Sequence, residues 1–329
     1  MQILKKKNSR KLFSVQISGH ITLLFAGNLS YKFLCLLFFT STVFLTNCKS
    51  ENSTISNQPT AVTREITDDF NRRVELPNKI DRAVSLAPNL TEIVFAVGGG
   101  DKLIGVTSFC DYPAEAQKIQ KIGDTLTPNI ESIIALKPQI VLVSTASQIE
   151  NFTKILDQQQ IAYFVTNPNS LEDIYQSIEK IGKIFSSEDK AFEVIKDLQR
   201  RVANVENRAG KGKTTKVFLQ ISNESLYTIG KESFLTDLIR RAGGTSVTES
   251  ITDAYPKISL ETALAYEPEA IILSDSEDNR EPHAVFKNSP AVKNGKVFKI
   301  NADLLARPGP RIVDGLEQIA KALHPESFE

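Results

Sequence analysis

The stretch Glu131-Ser-Ile-Ile-Ala-Leu-Lys-Pro-Gln-Ile-Val-Leu-Val-Ser144 is written twice in this chain. The second copy, Glu261-Thr-Ala-Leu-Ala-Tyr-Glu-Pro-Glu-Ala-Ile-Ile-Leu-Ser274, aligns with it without a gap. Both carry a Glu, an Ala four residues on, a Pro three further and a closing Ser. Each copy predicts a short helix followed by a buried strand. Asn129 and Ser259 are N-cap residue types, which puts Glu131 and Glu261 in the first helical turn. Pro138 and Pro268 end the helices, because proline has no N–H to donate and disfavours the helical conformation in the residue before it. The apolar runs that follow are of strand length and suit strands covered on both faces. A unit recurring 130 positions later fits two similar lobes; a solenoid would repeat every ~20 to 50 residues. The fold class expected is therefore α/β, with two lobes.

The flanking sequence extends this reading. Thr63–Leu76 alternates polar and apolar residues around Asp69 and Asn71, as a hairpin would. Arg82–Ala87 and Lys102–Thr107 predict the first two strands of lobe one, with a turn at Pro88–Thr91 and a helix over Glu92–Val97 between them. The triple glycine at 98–100 follows that helix, so it serves as a C-cap; a phosphate cradle would follow a strand. A helix after Ser170 has Leu171, Ile174, Ile178, Ile181 and Phe185 at helical spacing. The next helix starts at Ser187–Asp189 and places Phe192, Ile195, Leu198, Val202 and Val205 on one stripe. Its acidic start and its later Arg200, Arg201 and Arg208 match the helix dipole, and its length is enough to cross between lobes. Lobe two repeats the pattern: a strand at Lys216–Ile221, a helix at Phe234–Arg241 capped by Gly243-Gly244, a loop with Tyr255-Pro256, and the second copy. A strand at Val297–Ile300, a loop at Ala302–Gly309 and a helix from Pro310 complete it.

Composition excludes several classes. The 39 basic and 39 acidic side chains cancel, so no nucleic-acid footprint is expected. Cys35, Cys48 and Cys110 form neither a disulfide framework nor a CxxC pair, and His20, His283 and His324 form no helical metal motif. The basic leader, the apolar run Phe33–Leu45 and Leu45-Thr46-Asn47-Cys48 read as an export signal ending in a bacterial lipoprotein-like box. The expected layout is a signal over 1–48 with lipidation at Cys48 and a flexible tether over 49–62. An N-terminal lobe over 63–186, a linking helix over 187–210 and a C-terminal lobe over 211–329 follow. The protein would be exported and anchored to a membrane by its lipid.

Aromatic and charged residues collect in loops at predicted strand ends: Phe109 and Tyr112 in lobe one, and Tyr227, Tyr255, Asp303 and Arg307 in lobe two. An aromatic-lined cleft with a few polar groups suits a large, partly apolar small molecule. Equally, several of these rings could simply pack, and Asp303 and Arg307 could pair with each other. Acidic residues in a first helical turn are common, but Glu131 and Glu261 recur at equivalent places, which suits docking to a two-fold partner.

The chain resembles, from about Thr67 to Leu323, the solute-binding proteins of bacterial ABC importers for vitamin B12, siderophores and haem. The matching stretches are Ser85-Leu-Ala-Pro-Asn-Leu-Thr-Glu-Ile93, Asp111-Tyr-Pro-Ala-Glu115, Asn129-Ile-Glu131 with Ala135-Leu-Lys-Pro138, and Pro290-Ala-Val-Lys-Asn-Gly-Lys-Val297. Phe218-Leu-Gln220, Gly230-Lys-Glu-Ser233 and Arg307-Pro-Gly-Pro-Arg311 resemble the vitamin B12 binders most. The resemblance implies two Rossmann-like lobes joined by one backbone helix, Glu188–Ala209, the class III arrangement of periplasmic binding proteins. It implies a monomer with no cofactor of its own, carrying cobalamin or a related corrinoid as cargo. Tyr112, Tyr227, Tyr255, Asp303 and Arg307 would contact the ligand. Glu131 and Glu261 would dock to a homodimeric permease with its ATPase.

The family's B12 binders present tryptophans to the ligand, and this chain has none. Thr125 or Leu126 stands near one such place, Thr145 near another, and Tyr255 replaces a third. Haem, with Tyr112, Tyr255 or His283 as axial ligand, and a ferric siderophore are the alternatives within the family. A highly anionic catecholate would need several basic contacts, and the predicted cleft has few. Outside the family, Cys110 would be a nucleophile only with a base beside it, and no triad or nucleophile elbow is present.

Overall fold

The computed structural model describes residues 63–145, 149–209 and 213–329. The leader, Cys48 and the tether lie outside them. The chain opens with a hairpin of β1 (Thr63–Thr67) and β2 (Arg73–Pro77), paired antiparallel. Asp68 closes its turn: its carboxylate accepts from the N–H groups of Phe70 and Arg72, each at 3.0 Å, and Asn71 takes φ 58°.

Lobe one then builds a parallel sheet from β3 (Ala83–Ser85), β4 (Leu103–Val106), β5 (Ile140–Ser144) and β6 (Tyr163–Thr166), in spatial order β4-β3-β5-β6. Between and after the strands lie α1 (Pro88–Ala96), α2 (Ile130–Ala135), α3 (Ile149–Gln158) and α4 (Leu171–Ile184). The long α5 (Glu188–Ala209) follows, and then the second sheet: β7 (Thr215–Gln220), β8 (Gly244–Ser246), β9 (Ala270–Asp275) and β10 (Val297–Asn301), in order β10-β9-β7-β8 and again parallel. Its helices are α6 (Phe234–Arg241), α7 (Leu260–Ala265), α8 (Pro290–Lys293), α9 (Ala302–Ala306) and α10 (Ile312–Leu323). Numbered within each lobe, both sheets read 2-1-3-4. The sequence repeat is thus a topological repeat, and the fold is the expected pair of α/β lobes joined by one helix.

The repeated unit folds as its residues dictate. Asn129 Oδ1 accepts the Ser132 N–H at 2.9 Å and Ser259 Oγ accepts the Thr262 N–H at 3.1 Å, so each helix has a side-chain N-cap. Lys137 and Glu267, just before the prolines, sit at φ 48° and 43°. The helices therefore end in a left-handed residue rather than the extended one expected before proline. β5 and β9 are buried almost throughout, as strands covered on both faces must be.

α5 has 22 residues and spans about 33 Å. It packs on α4 and α10, and one continuous apolar cluster runs from Leu90 and Ile93 of lobe one through Leu198, Val202 and Val205 of α5 to Val217 and Leu316 of lobe two.

Several sequence expectations need correction. Phe192 is 66% exposed and not on the buried stripe; it lies about 120° around the helix from Leu198 at 100° per residue, whereas Ala191, Val202 and Val205 cluster near Leu198. The predicted turn at Pro88 is the first residue of α1, since proline is pre-organised for that position. Residues 302–306, read as loop, form α9 with Asn301 as N-cap, and α10 begins at Ile312, two residues after Pro310. β8 hides behind the Gly243-Gly244 cap: three residues have no periodicity to read, and the ladder to β7 makes them a strand.

Candidate functional site

In open parallel sheets ligands bind beyond the strands' carboxyl ends, beside the point where strand order reverses. That point lies between β3 and β5 in lobe one and between β7 and β9 in lobe two. A cleft of about 500 Å³ opens there, within the range of small-molecule sites. Lobe one lines it with Ala87–Asn89 after β3, Phe109 after β4 and Thr125 further along ahead of α2, Ser144 and Thr145 at the end of β5, and Asn167–Asn169 after β6. Lobe two adds Glu232 and Phe234, Ala254 and Tyr255, and Asp303, Ala306, Arg307 and Pro308.

Tyr255, Asp303, Arg307 and Phe109 are therefore brought together, with Phe109 56% and Tyr255 45% exposed. Tyr112 and Tyr227 are also exposed but do not line this cleft. The Arg311 guanidinium lies 4.0 Å from the centroid of the Tyr112 ring. Tyr227 is held by backbone, its carbonyl accepting the Ile221 N–H at 2.9 Å.

Arg307 is the only cation lining the cleft among the described residues, and three carboxylates already match its charge. Nη1 is 2.6 Å from Asp111 Oδ1 and 3.2 Å from Glu92 Oε1, and Nη2 is 2.8 Å from Asp303 Oδ1. Arg311 grips the same Glu92 in bidentate fashion, Nε to Oε2 at 2.9 Å and Nη2 to Oε1 at 2.6 Å. The Glu92 side chain is only 2% exposed. Burial alone would raise the Asp111 carboxyl; the Arg307 guanidinium bonded to it outweighs this and holds it below the ordinary carboxylate value. Burial would likewise lower Arg307, but its carboxylate partners hold it above its usual value. This network crosses between the lobes, and the Asn89 amide donates to the Pro308 carbonyl at 3.3 Å beside it. Glu92, Asp111 and Arg311 carry it with Arg307, and all three escaped the site reading. Each lies in a stretch that carries the family resemblance, Ser85–Ile93, Asp111–Glu115 and Arg307–Arg311, but nothing local in those stretches says which carboxylate meets which guanidinium.

Cys110 is fully buried, with Sγ 3.1 Å from Thr91 Oγ1 and 3.2 Å from Thr107 Oγ1. His283 caps a single turn and His324 is buried; neither contacts Cys110 in any described interaction. Glu131 and Glu261 are both exposed. Asn129 N–H donates to Ile122 O at 2.8 Å, and Ile122 N–H to Val106 O, the last residue of β4, at 3.0 Å. In lobe two, Ile258 N–H donates to Leu226 O at 3.3 Å, next to the Tyr227–Ile221 pairing that follows β7. Both helix starts thus lie at the strand-end edge that carries the cleft.

Two lobes with matching sheets, one connecting helix and an inter-lobe cleft define a binding protein for a solute. Residues 84–304 match the family model described as periplasmic binding protein, and the chain belongs to that family, whose members bind solutes and are not enzymes. Among its relatives, the vitamin B12-binding protein of Vibrio vulnificus is 30% identical over 251 residues, covering 74% of this chain and 89% of that one. An ABC transporter substrate-binding lipoprotein of Bacillus subtilis is 29% identical over 273 residues, with 80% and 86% covered. The crystal structure of the periplasmic vitamin B12 binding protein of Vibrio cholerae superposes with a TM-score of 0.66 at 27% identity, over 77% of this chain and all of that one.

Proposed function

We propose that this protein is the substrate-binding component of an ABC importer and captures cobalamin or a related corrinoid in the inter-lobe cleft. The observation that carries the ligand class is the cleft's charge. Its single described cation, Arg307, is already matched by Glu92, Asp111 and Asp303, and Glu232 adds a further carboxylate to the lining. A polyanionic ferric catecholate would find no free guanidinium there, whereas the amide-fringed face of a corrinoid suits exposed aromatic rings with Asn and Ser/Thr neighbours. Similarity to vitamin B12-binding proteins supports the same reading.

Tyr255 and Phe109 would supply the flat contacts, Asp303 and Arg307 the polar ones, with Tyr112 and Tyr227 as outer contacts. The loaded protein would present Glu131 and Glu261 to a homodimeric permease with its ATPase. A lipid on Cys48 would hold it at the membrane outside the cytoplasm.

Haem is the second reading, because Tyr255 places a half-exposed tyrosine ring in the cleft lining, the residue type that could supply an axial phenolate. Absorption spectra of the protein titrated separately with cyanocobalamin, cobinamide and haemin test both. Saturable binding of a corrinoid is expected; tight haemin binding with no corrinoid binding would replace the first reading with the second.

A further inference from the structure

The repeat places more than a glutamate at each tip. Ile130 and Ile134 bracket Glu131, and Leu260 and Leu264 bracket Glu261, in each case one residue before and three after. Residues four apart on a helix are surface neighbours, so each carboxylate stands beside a one-turn aliphatic pair. Leu260 is 51% and Leu264 60% exposed; Ile130 and Ile134 are half-buried. In lobe one Leu126, in the loop that leads into α2, is 58% exposed. Its loop is held by Asp124 Oδ1, which accepts the N–H groups of Leu126 at 2.8 Å and Thr127 at 2.6 Å. Neither tip glutamate makes an ion pair among the described residues.

A lone exposed leucine means little. The same aliphatic–acid–aliphatic arrangement at equivalent positions of two lobes, on the edge that carries the cleft, is a built surface. Its duplication matches a partner that is itself two-fold, and its unpaired carboxylates match one with basic groups. We infer that Leu126, Ile130 and Ile134 in lobe one and Leu260 and Leu264 in lobe two are the affinity-bearing contacts for the two identical permease subunits. The glutamates then chiefly set orientation. Burying an aliphatic side chain contributes more than an exposed ion pair does, and salt screens only the latter. This rests on the import reading above.

The test measures binding of the full chain, in detergent, to the purified homodimeric corrinoid permease with its ATPase from the same organism, at about 0.15 M and about 0.5 M salt. Leu260→Ser/Leu264→Ser is expected to weaken binding about tenfold or more at both salts. Glu131→Ala/Glu261→Ala should weaken it at the lower salt and converge on the unaltered chain at the higher. Cobinamide binding and circular dichroism should stay unchanged in both variants, since these residues lie outside the cleft and, for the leucines, outside the core. A leucine variant that binds the permease within about twofold of the unaltered chain overturns this inference and leaves the import reading standing. So does concentration-dependent self-association that the leucine substitutions abolish, which would make the partner a second copy. Failure of the unaltered chain to bind the permease at all sinks both.

Discussion

Glu92 ties the two lobes together. It is buried, it belongs to lobe one, and it holds two arginines of lobe two, one of them in bidentate fashion. Replacing it by Ala strands the largely buried Arg311 guanidinium and takes one of three carboxylates from Arg307, so Glu92→Ala should cost about 3 kcal/mol in denaturant unfolding. Glu92→Gln, which keeps one acceptor, should cost less; equal stability of the Ala variant and the parent would show the network to be idle. Tyr255 is the opposite case, an aromatic left exposed by its own fold. Tyr255→Ala should weaken corrinoid binding by about 2 kcal/mol, roughly 30-fold in Kd, with unfolding unchanged. Calorimetric titration with cobinamide checks it.

At the scale of the element, the helix ends of the repeat hold strain. Lys137 and Glu267 occupy the left-handed region without being glycine, a conformation that costs an ordinary residue ~1–2 kcal/mol. A glycine there removes that cost and loses ~0.4–1 kcal/mol through the freer unfolded chain. Lys137→Gly should therefore stabilise by about 0.5 kcal/mol, and a destabilised variant would mean that Lys137 makes a contact outweighing its backbone. α5 is tied along its length. Arg201 bonds Glu317 at 2.8 and 2.9 Å on α10, and Arg241 of α6 reaches Glu206 of α5 at 2.7 Å and Glu172 of α4 at 2.8 Å.

For the whole molecule these ties add up to a restricted hinge. One helix, a shared apolar core, the Arg241–Glu172 bridge and the Glu92 network all span the two lobes. Small-angle scattering should show little change in radius of gyration on adding corrinoid; a marked fall would mean that the bridges open and close with ligand. Acid should loosen the same joint. The Asp111 and Glu317 carboxyls are held below their ordinary values of 3.8 and 4.5, Asp111 by Arg307 against the opposing effect of burial and Glu317 by its bond to Arg201. A depressed folded pKa gives stability that is complete above the ordinary value and is lost as pH falls through the folded one. Denaturant midpoints should thus decline below about pH 4.5, and Asp111→Asn with Glu317→Gln should flatten that decline. An unchanged slope in the double variant would assign acid sensitivity to other carboxylates.

How much of this was legible in the chain depended on the range of the interactions involved. Caps, prolines and apolar periods act over a few residues, so Asn129, Pro138, Ser259, Pro268 and the α4 stripe announced their elements, and their duplication announced two lobes. The limits of α5, Glu188–Ala209, were readable for the same reason. Tertiary structure alone decided what contacts distant in sequence decide. It turned Phe192 to solvent by helix phase and made a strand of Gly244–Ser246 by offering β7 as a template. It also spent the charge of Arg307 on Glu92 and Asp111, some 200 positions earlier in the chain. A sequence states which residues can ionise, pack or cap. Which carboxylate meets which guanidinium, and hence whether a cleft offers a free charge, is settled only when the two lobes close on each other.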